Sequence, residues 1–271
     1  MKTELGFGRR VLWVGLAVGM MVFTAPAADR ASAESRPDST ALSPLKDPPQ
    51  GMTGEELFSK LLEHNQLRNL RLDFYSATRT YELKDSEGKL RAQEIVLMQY
   101  RAPNTKEFTT TSEKGSRIIR SMVFKRLMES EAEAAGGREH RDSSITPVNY
   151  AFRPVGEQDI GPYHCIVVEA IPSRMDKYLF EGKIWIDAQD FAVVRIAGHP
   201  ARKPSFWINR AEFVRQYQKI GDFWLPCKDQ TFVDVKLYGQ KVLTIDHQDY
   251  RINRSDEQAQ DITREGPATV R

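Results

Sequence analysis

Two pairs of residues in this chain carry side chains that could do chemistry, and both pairs have a simpler explanation. His164 stands beside Cys165, an order that would suit an imidazole activating a thiol nucleophile. Neighbours along a strand point to opposite faces of a sheet, so these two side chains cannot share a proton. Asp187 and Asp190 could bind calcium, but aspartate is a normal turn former because its side chain bonds its own backbone. We therefore predict neither a catalytic pair nor a calcium site.

The other signatures of enzymes and metal sites do not occur in the sequence. There is no nucleophile elbow of the Gly-x-Ser-x-Gly type and no glycine-rich loop that could cradle a phosphate. The histidines show no His-x-x-x-His or similar metal spacing, and they are scattered over His64, His140, His164, His199 and His247. The sequence thus predicts no catalytic residue, no metal and no cofactor.

The N-terminus has the order of segments that is typical of a secretory signal peptide. Lys2, Arg9 and Arg10 precede an uncharged apolar run over 11–25, and two Ala-x-Ala cleavage patterns follow, the second ending at Ala33. We predict a signal peptide over 1–33, cleaved after export to the periplasm. An uncleaved membrane anchor is the alternative, although a run of about fifteen residues is shorter than the roughly twenty that span a bilayer as a helix.

The charge balance of the chain argues against nucleic acid as a partner. The chain holds 39 basic and 37 acidic residues, and the predicted signal peptide contains four of the basic and two of the acidic ones. The remainder is formally neutral. A nucleic-acid-binding domain is expected to cluster Lys and Arg on one surface. We expect a monomer that does not bind nucleic acid.

Cys165 and Cys227 are the only cysteines, and an oxidising compartment would allow them to pair. A disulfide closing so long a loop would be worth about 4 kcal/mol in the chain-entropy model. The alternative is two separate buried thiols that pack as small apolar groups. The two cysteines fall in different predicted strands, and the sequence leaves both alternatives open.

The hydrophobic pattern predicts one β domain over 53–252. Residues 34–52 are rich in Pro and Ser and are predicted to be a flexible linker, and the charged tail 253–271 is predicted to be disordered. Thr53 and Glu56 form a capping box that begins a helix. From Leu70 onward the apolar residues alternate with polar ones and turn residues separate them, which gives about ten strands in antiparallel pairs. So many strands cannot lie flat, so we predict a strongly curved, half-open barrel with inserted helices.

One amphipathic helix interrupts the strands in the middle of the chain. Apolar residues return at helical spacing between Gly115 and Gly136. We predict that this helix is a lid on the curved sheet, with its apolar face formed by Ile118, Ile119, Met122, Val123 and Leu127.

Aromatic residues accumulate in the second half of the domain, at positions that share strand faces. Large rigid side chains suit the wall of an apolar cavity, because they do not collapse when it is empty. The candidate lining residues are Phe180, Ile184, Trp207, Phe213, Tyr217 and Trp224. The alternative is an ordinary packed barrel core, which the aromatic content alone favours.

Three motifs in this region resemble the bacterial outer-membrane lipoprotein-sorting proteins, the LolA-like group. They are Gly182-Lys183-Ile184-Trp185-Ile186-Asp187 with Asp190-Phe191 after it, Gly221-Asp222-Phe223-Trp224-Leu225-Pro226, and Ile145-Thr146-Pro147-Val148-Asn149-Tyr150-Ala151-Phe152. The resemblance covers roughly 53–252. It implies a half-open barrel closed by helices around a concavity that receives acyl chains, with Met122 and Met128 adapting to different chains. The arginine that ties barrel to lid in that group cannot be aligned with one position here.

Two functional hypotheses follow. The first is a periplasmic carrier or chaperone that binds lipid or the acyl chains of lipoproteins and sorts lipoproteins to the outer membrane, with membrane proteins as further partners. Apolar burial of about 0.8 kcal/mol per methylene could hold such a chain without a specific polar contact. The second is an envelope sensor or regulatory domain that recognises a membrane-protein partner.

Overall fold

The computed structural model of the chain describes residues 42–49, 51–103, 105–136, 144–176 and 178–253. The predicted signal peptide lies outside these residues, as does the predicted tail apart from Asn253. Within the described part, no helix is both long enough and apolar enough to cross a membrane.

Ten antiparallel strands form one curved sheet, which confirms the predicted fold class. Their bounds are β1 (Phe74–Asp85), β2 (Leu90–Arg101), β3 (Thr105–Gly115), β4 (Tyr150–Ile160), β5 (Tyr163–Pro172), β6 (Phe180–Asp187), β7 (Val193–Pro200), β8 (Ile208–Ile220), β9 (Phe223–Val235) and β10 (Gly239–Ile252). The strand order is β3-β2-β1-β10-β9-β8-β7-β6-β5-β4. Because β3 and β4 lie at opposite ends of this order, the sheet remains open. The first and last strands, β1 and β10, join its two parts.

The first helix, α1 (Gly54–Asn69), begins at the predicted capping box. The hydroxyl of Thr53 accepts a hydrogen bond from the backbone N–H of Glu56 at 3.2 Å, and the Glu56 carboxylate accepts one from the Thr53 N–H at 3.0 Å. One face of α1 is fully buried against the sheet, through Leu57, Phe58 and Leu61.

The predicted mid-chain helix is present and has an irregular turn within it. It consists of α2 (Arg117–Ile119), a π-helical turn (Arg120–Phe124) and α3 (Lys125–Gly136), which follow one another without a break. We call residues 117–136 the inserted helix. The hydroxyl of Ser116 caps its start by accepting a hydrogen bond from the N–H of Ile119.

The register of the strands shows that both helices cover the same face of the sheet. Tyr81 pairs with Ile245, Ile245 with Asp229, and Asp229 with Arg215. Directly paired residues of antiparallel strands point to the same face, and Phe213 joins them because it lies two residues from Arg215. The inserted helix packs in one cluster with Tyr81, and α1 packs in another with Phe213. We call this common face the inner face.

Residues 42–49, which fall within the predicted flexible linker, lie along the edge strand β4. The backbone of Lys46 exchanges two hydrogen bonds with that of Glu157, at 2.9 and 3.2 Å. The Ser43 hydroxyl also accepts a hydrogen bond from the N–H of Asp159 at 2.8 Å. The unpaired edge strand thus offers the segment backbone partners that its composition does not reveal.

Candidate functional site

The inserted helix covers an apolar area on the inner face of β1, β2 and β10. The helix contributes Ile119, Val123, Phe124 and Met128, each less than 9% exposed. The sheet contributes Tyr81, Leu83, Ala92 and Val96, all nearly or fully buried, with Phe108, Leu243 and Ile245 at the margin. We call these residues the helix-covered cluster. Removing the helix would expose these apolar side chains of the sheet.

A buried ion-pair cluster joins the inserted helix to the sheet beside this apolar contact. Arg79 of β1 donates two hydrogen bonds to the carboxylate of Glu131, from Nη1 to Oε2 at 2.7 Å and from Nη2 to Oε1 at 3.1 Å. Lys106 of β3 donates a third to Oε1 at 2.6 Å. The Arg79 guanidinium also lies over the ring of Phe108, 5.5 Å from its centroid. We call Arg79, Lys106 and Glu131 the latch.

The charges of the latch stabilise one another despite their burial. Desolvation alone would raise the pKa of Glu131, but Arg79 and Lys106 outweigh it and hold that pKa well below its ordinary value. Desolvation likewise opposes the charge of Arg79, and Glu131 reverses the effect and raises the pKa of Arg79. If Glu131 were protonated, and therefore uncharged, the inserted helix would bind the sheet less tightly.

A second polar pair lies next to the latch on the inner face. His247 of β10 pairs directly with Arg79 across the strands, and its Nε2 lies 3.2 Å from Oδ2 of Asp229. Its Nδ1 is buried and has no hydrogen-bond partner within the described part of the chain. Burial, followed by the charge of Arg79, lowers the pKa of His247. Burial raises the pKa of Asp229, but the hydrogen bond with His247 and the charge of Arg215 outweigh it and lower that pKa.

Three of the six predicted cavity residues lie together, but in a packed core instead of a hollow. Phe180, Ile184 and Phe213 are at most 1% exposed and pack in the cluster completed by α1. The ring of Phe58 on α1 stacks on Phe152 in the same cluster, with 3.7 Å between centroids. The three residues face inward, and α1 packs against them on that face.

The remaining predicted cavity residues are dispersed. Tyr217 packs partly buried at the margin of the α1 cluster on the inner face. Trp224 belongs to a cluster with Cys165 and Trp185 on the opposite face, and its indole N–H donates to Asp190 at 2.8 Å. Trp207 is 44% exposed and lies just before β8. The structure therefore does not bring the six residues together in one cavity.

The predicted lid residues divide between the sheet and solvent. Ile119 and Val123 are buried on the sheet, Met122 and Leu127 are partly buried, and Ile118 is 64% exposed. The π-helical turn adds a residue within this stretch and so changes the face that each position presents. Phe124, which is fully buried in the helix-covered cluster, was missed for this reason.

Both cysteines are free thiols, so the disulfide alternative does not hold in this structure. Cys165 lies on β5 and Cys227 on β9, and three strands separate them in the sheet. Burial raises the pKa of Cys165 to about 12 and that of Cys227 to about 11. His164, beside Cys165, contacts the carboxylate of Asp159 at 2.7 Å.

The aspartate pair at 187 and 190 forms a turn, as predicted. Oδ1 of Asp187 accepts hydrogen bonds from the N–H groups of Gln189 and Asp190, at 3.1 and 2.7 Å. The Asp190 carboxylate bonds Trp224 and contacts Nζ of Lys219 at 2.6 Å. Within the described residues, no three His, Cys, Asp or Glu side chains come together as a metal site.

No protein-family model and no curated protein sequence matches the chain. Solved structures similar to it include an outer membrane lipoprotein-sorting protein domain from Vibrio parahaemolyticus (14% identity, 76% of this chain and 98% of that one, TM-score 0.41). A LolA superfamily protein from Nitrosomonas europaea is also similar (8% identity, 77% and 97%, TM-score 0.36). So is the MucA/MucB complex of Pseudomonas aeruginosa (10% identity, 74% and 99%, TM-score 0.23). The similar structures thus include the group that the motifs resemble. At these TM-scores they say nothing about a ligand or partner.

Proposed function

We propose that this protein is a periplasmic carrier that binds lipid, or the acyl chains of lipoproteins, on the inner face beneath the inserted helix. The observation that carries the proposal is the way in which the inserted helix packs on the sheet. The inserted helix covers apolar side chains of the sheet, and one ion-pair cluster joins it to the sheet beside them. The predicted signal peptide over 1–33 and the resemblance to lipoprotein-sorting proteins support the location and the cargo.

The energies of the two occupants of this surface are comparable. Fully burying one large apolar side chain is worth about 1.5–3 kcal/mol, so the four buried side chains of the inserted helix contribute roughly 6–12 kcal/mol. An acyl chain of about a dozen methylenes, at about 0.8 kcal/mol each, would contribute roughly 10 kcal/mol on the same surface. An acyl chain can therefore replace the helix. The latch then favours the closed state while no ligand is present.

The carrier is tested by placing a charge at the margin of the helix-covered cluster. Leu243 is partly buried there, on the inner face of β10. Its neighbour Val242 is also partly buried but points to the other face. We expect the parent protein to bind a fluorescent fatty acid, and Leu243→Glu to weaken binding about tenfold or more, because each 1.4 kcal/mol lost is a factor of ten.

Val242→Glu is the matched control and should bind the fatty acid as the parent does, with circular dichroism establishing that both variants fold. Absence of binding by the parent, or equal binding by the two variants, would contradict the proposal. Mass spectrometry of an organic extract of the purified protein checks for co-purified lipid. A protein that carries a stoichiometric membrane-protein partner and no lipid would favour the sensor hypothesis instead.

A further inference from the structure

One rim of the sheet gathers three neighbouring connections into a single surface. They are the loop between β5 and β6, the loop between β7 and β8, and the turn between β9 and β10. The N–H of Ala201 donates to the carbonyl of Leu179 at 2.8 Å, which joins the first two. The N–H of Lys236 donates to the carbonyl of Trp207 at 2.9 Å, which joins the last two. We call this surface the aromatic rim.

The aromatic rim exposes large apolar side chains to an unusual degree. Leu237 is 90% exposed, Phe206 77%, Met175 69% and Trp207 44%. The rings of Phe206 and Trp207 contact each other edge to face, with centroids 5.8 Å apart. Single exposed apolar residues are ordinary, but a concentration of them on one surface indicates a contact with another apolar phase or molecule.

Basic side chains accompany these apolar ones. Arg202 and Lys203 are exposed and line an open groove of about 850 Å³, together with Phe206 and Lys236. The Lys236 ammonium lies 3.5 Å from the centroid of the Phe206 ring. One acidic residue, Asp176, also lines the groove, and its carboxylate lies 3.5 Å from the guanidinium of Arg174. The lining of this groove is therefore net positive.

We propose that the aromatic rim docks on a membrane surface that contains anionic phospholipids. Aromatic and aliphatic side chains favour the boundary between headgroups and acyl chains, and Lys and Arg are attracted to the anionic headgroups. A second copy of this chain is a poorer occupant, because two identical rims would bring like charges together. The inference does not depend on the carrier function, since the rim and the helix-covered cluster have no residue in common.

Flotation with phospholipid vesicles tests the inference on the protein as purified from cells that export it. We expect it to bind vesicles containing phosphatidylglycerol more than vesicles of phosphatidylcholine alone, with binding that weakens as salt increases. Phe206→Ser should reduce the bound fraction several-fold. Leu70→Ser is the control, because Leu70 is 73% exposed at the end of α1, away from the rim. Lys203→Glu should also reduce binding, whereas Lys183→Glu, an exposed position on β6, should not.

Three results would overturn the inference. The first is equal binding of the protein to both kinds of vesicle, or none. The second is equal loss of binding in the rim variants and their controls. The third is a stable dimer in solution that Phe206→Ser dissociates, because the rim would then be an interface between copies. Trp207 supplies a local readout, since its fluorescence should shift to shorter wavelength on docking, and Trp207→Phe should remove that shift.

Discussion

The guanidinium of Arg79 and the carboxylate of Glu131 meet in a two-point contact between elements 52 residues apart in the chain. The Arg79 side chain is only 4% exposed, so its charge depends on this partner. Lys106 adds a second cation to the same carboxylate. Glu131 thus pairs with one buried and one partly buried cation of the sheet and joins the inserted helix to it.

Removing Glu131 should release the inserted helix. We expect Glu131→Ala to increase amide hydrogen exchange in residues 117–133 while leaving β5 to β7 unchanged, because the buried guanidinium of Arg79 loses the carboxylate that it pairs with. Removing one member of a buried pair typically costs about 3 kcal/mol or more, which corresponds to an exchange rate more than a hundredfold higher. Glu129→Ala is the control, since Glu129 pairs with Lys125 on the exposed side of the helix. Equal exchange rates in the two variants would show that Glu131 does not hold the inserted helix on the sheet.

Stability should fall as the pH decreases below the ordinary pKa of histidine, because His247 is harder to protonate in the folded state than in the unfolded state. Its pKa is lowered from 6.5 by burial and by Arg79, so below pH 6.5 the unfolded state takes up a proton that the folded state does not. The free energy of unfolding then decreases by up to about 1.4 kcal/mol per pH unit. This loss precedes that of Glu131, whose lowered pKa matters only as the pH falls below 4.5.

Urea unfolding at a series of pH values measures this dependence. His247→Gln should reduce the change in unfolding free energy between pH 6.5 and pH 4.5, which are the ordinary pKa values of His247 and Glu131. His199→Gln, at an exposed position of β7, should leave it as in the parent. If His247→Gln keeps the full slope, the burial of a neutral imidazole is not its source.

A thiol reagent should detect two free cysteines in this protein. In denaturant without reductant, a thiol reagent should detect both Cys165 and Cys227, because the strands that hold them are not neighbours. In the folded protein the reaction should be slow, since burial raises both pKa values and little thiolate exists at neutral pH. Cys227 should react before Cys165, which is fully buried. Detection of no thiol in denaturant would establish the disulfide instead.

The docking of α1 should not tolerate a side chain at Gly54. A Cβ built there would lie 2.0 Å from the carbonyl oxygen of Phe152 on β4. Gly54→Ala should therefore lower the free energy of unfolding by about 1–3 kcal/mol, although alanine favours a helix by about 1 kcal/mol over glycine. Glu55→Ala, at the exposed next position, controls for the propensity effect. Urea unfolding of both variants makes the comparison, and a more stable Gly54→Ala would show that α1 can move away from β4.

The strand pattern and the helix start could be predicted because each depends on neighbouring residues. Alternation located ten strands, and the capping box of Thr53 and Glu56 located the beginning of α1. Alternation assigned Phe180 and Phe213 to strand faces. It could not show that α1 packs against them, because nothing local in Leu57 or Phe58 indicates where an amphipathic helix docks.

The latch could not be predicted because it joins distant residues. Arg79 carries a signal that was available, since it interrupts an otherwise apolar series of inward positions formed by Ala77, Tyr81 and Leu83 on β1. A charge at such a position requires a partner. The sequence offers many carboxylates, however, and only the fold selects Glu131. The π-helical turn also has no signal in the sequence. The prediction therefore assumed a regular helix, which put Ile118 on the apolar face and left Phe124 out.

The pairing of β1 with β10 has a consequence for how the protein matures. Tyr75 pairs with Ile252, so the contact that joins the two parts of the sheet forms only when nearly the whole domain has been synthesised. Contacts between residues so far apart form slowly, and the unpaired edges of both strands are exposed until they do. The β1–β10 pair cannot form before the last strand has emerged from the ribosome. A chain that is still unfolded at that moment would be in the state that the proposed export through a membrane channel requires.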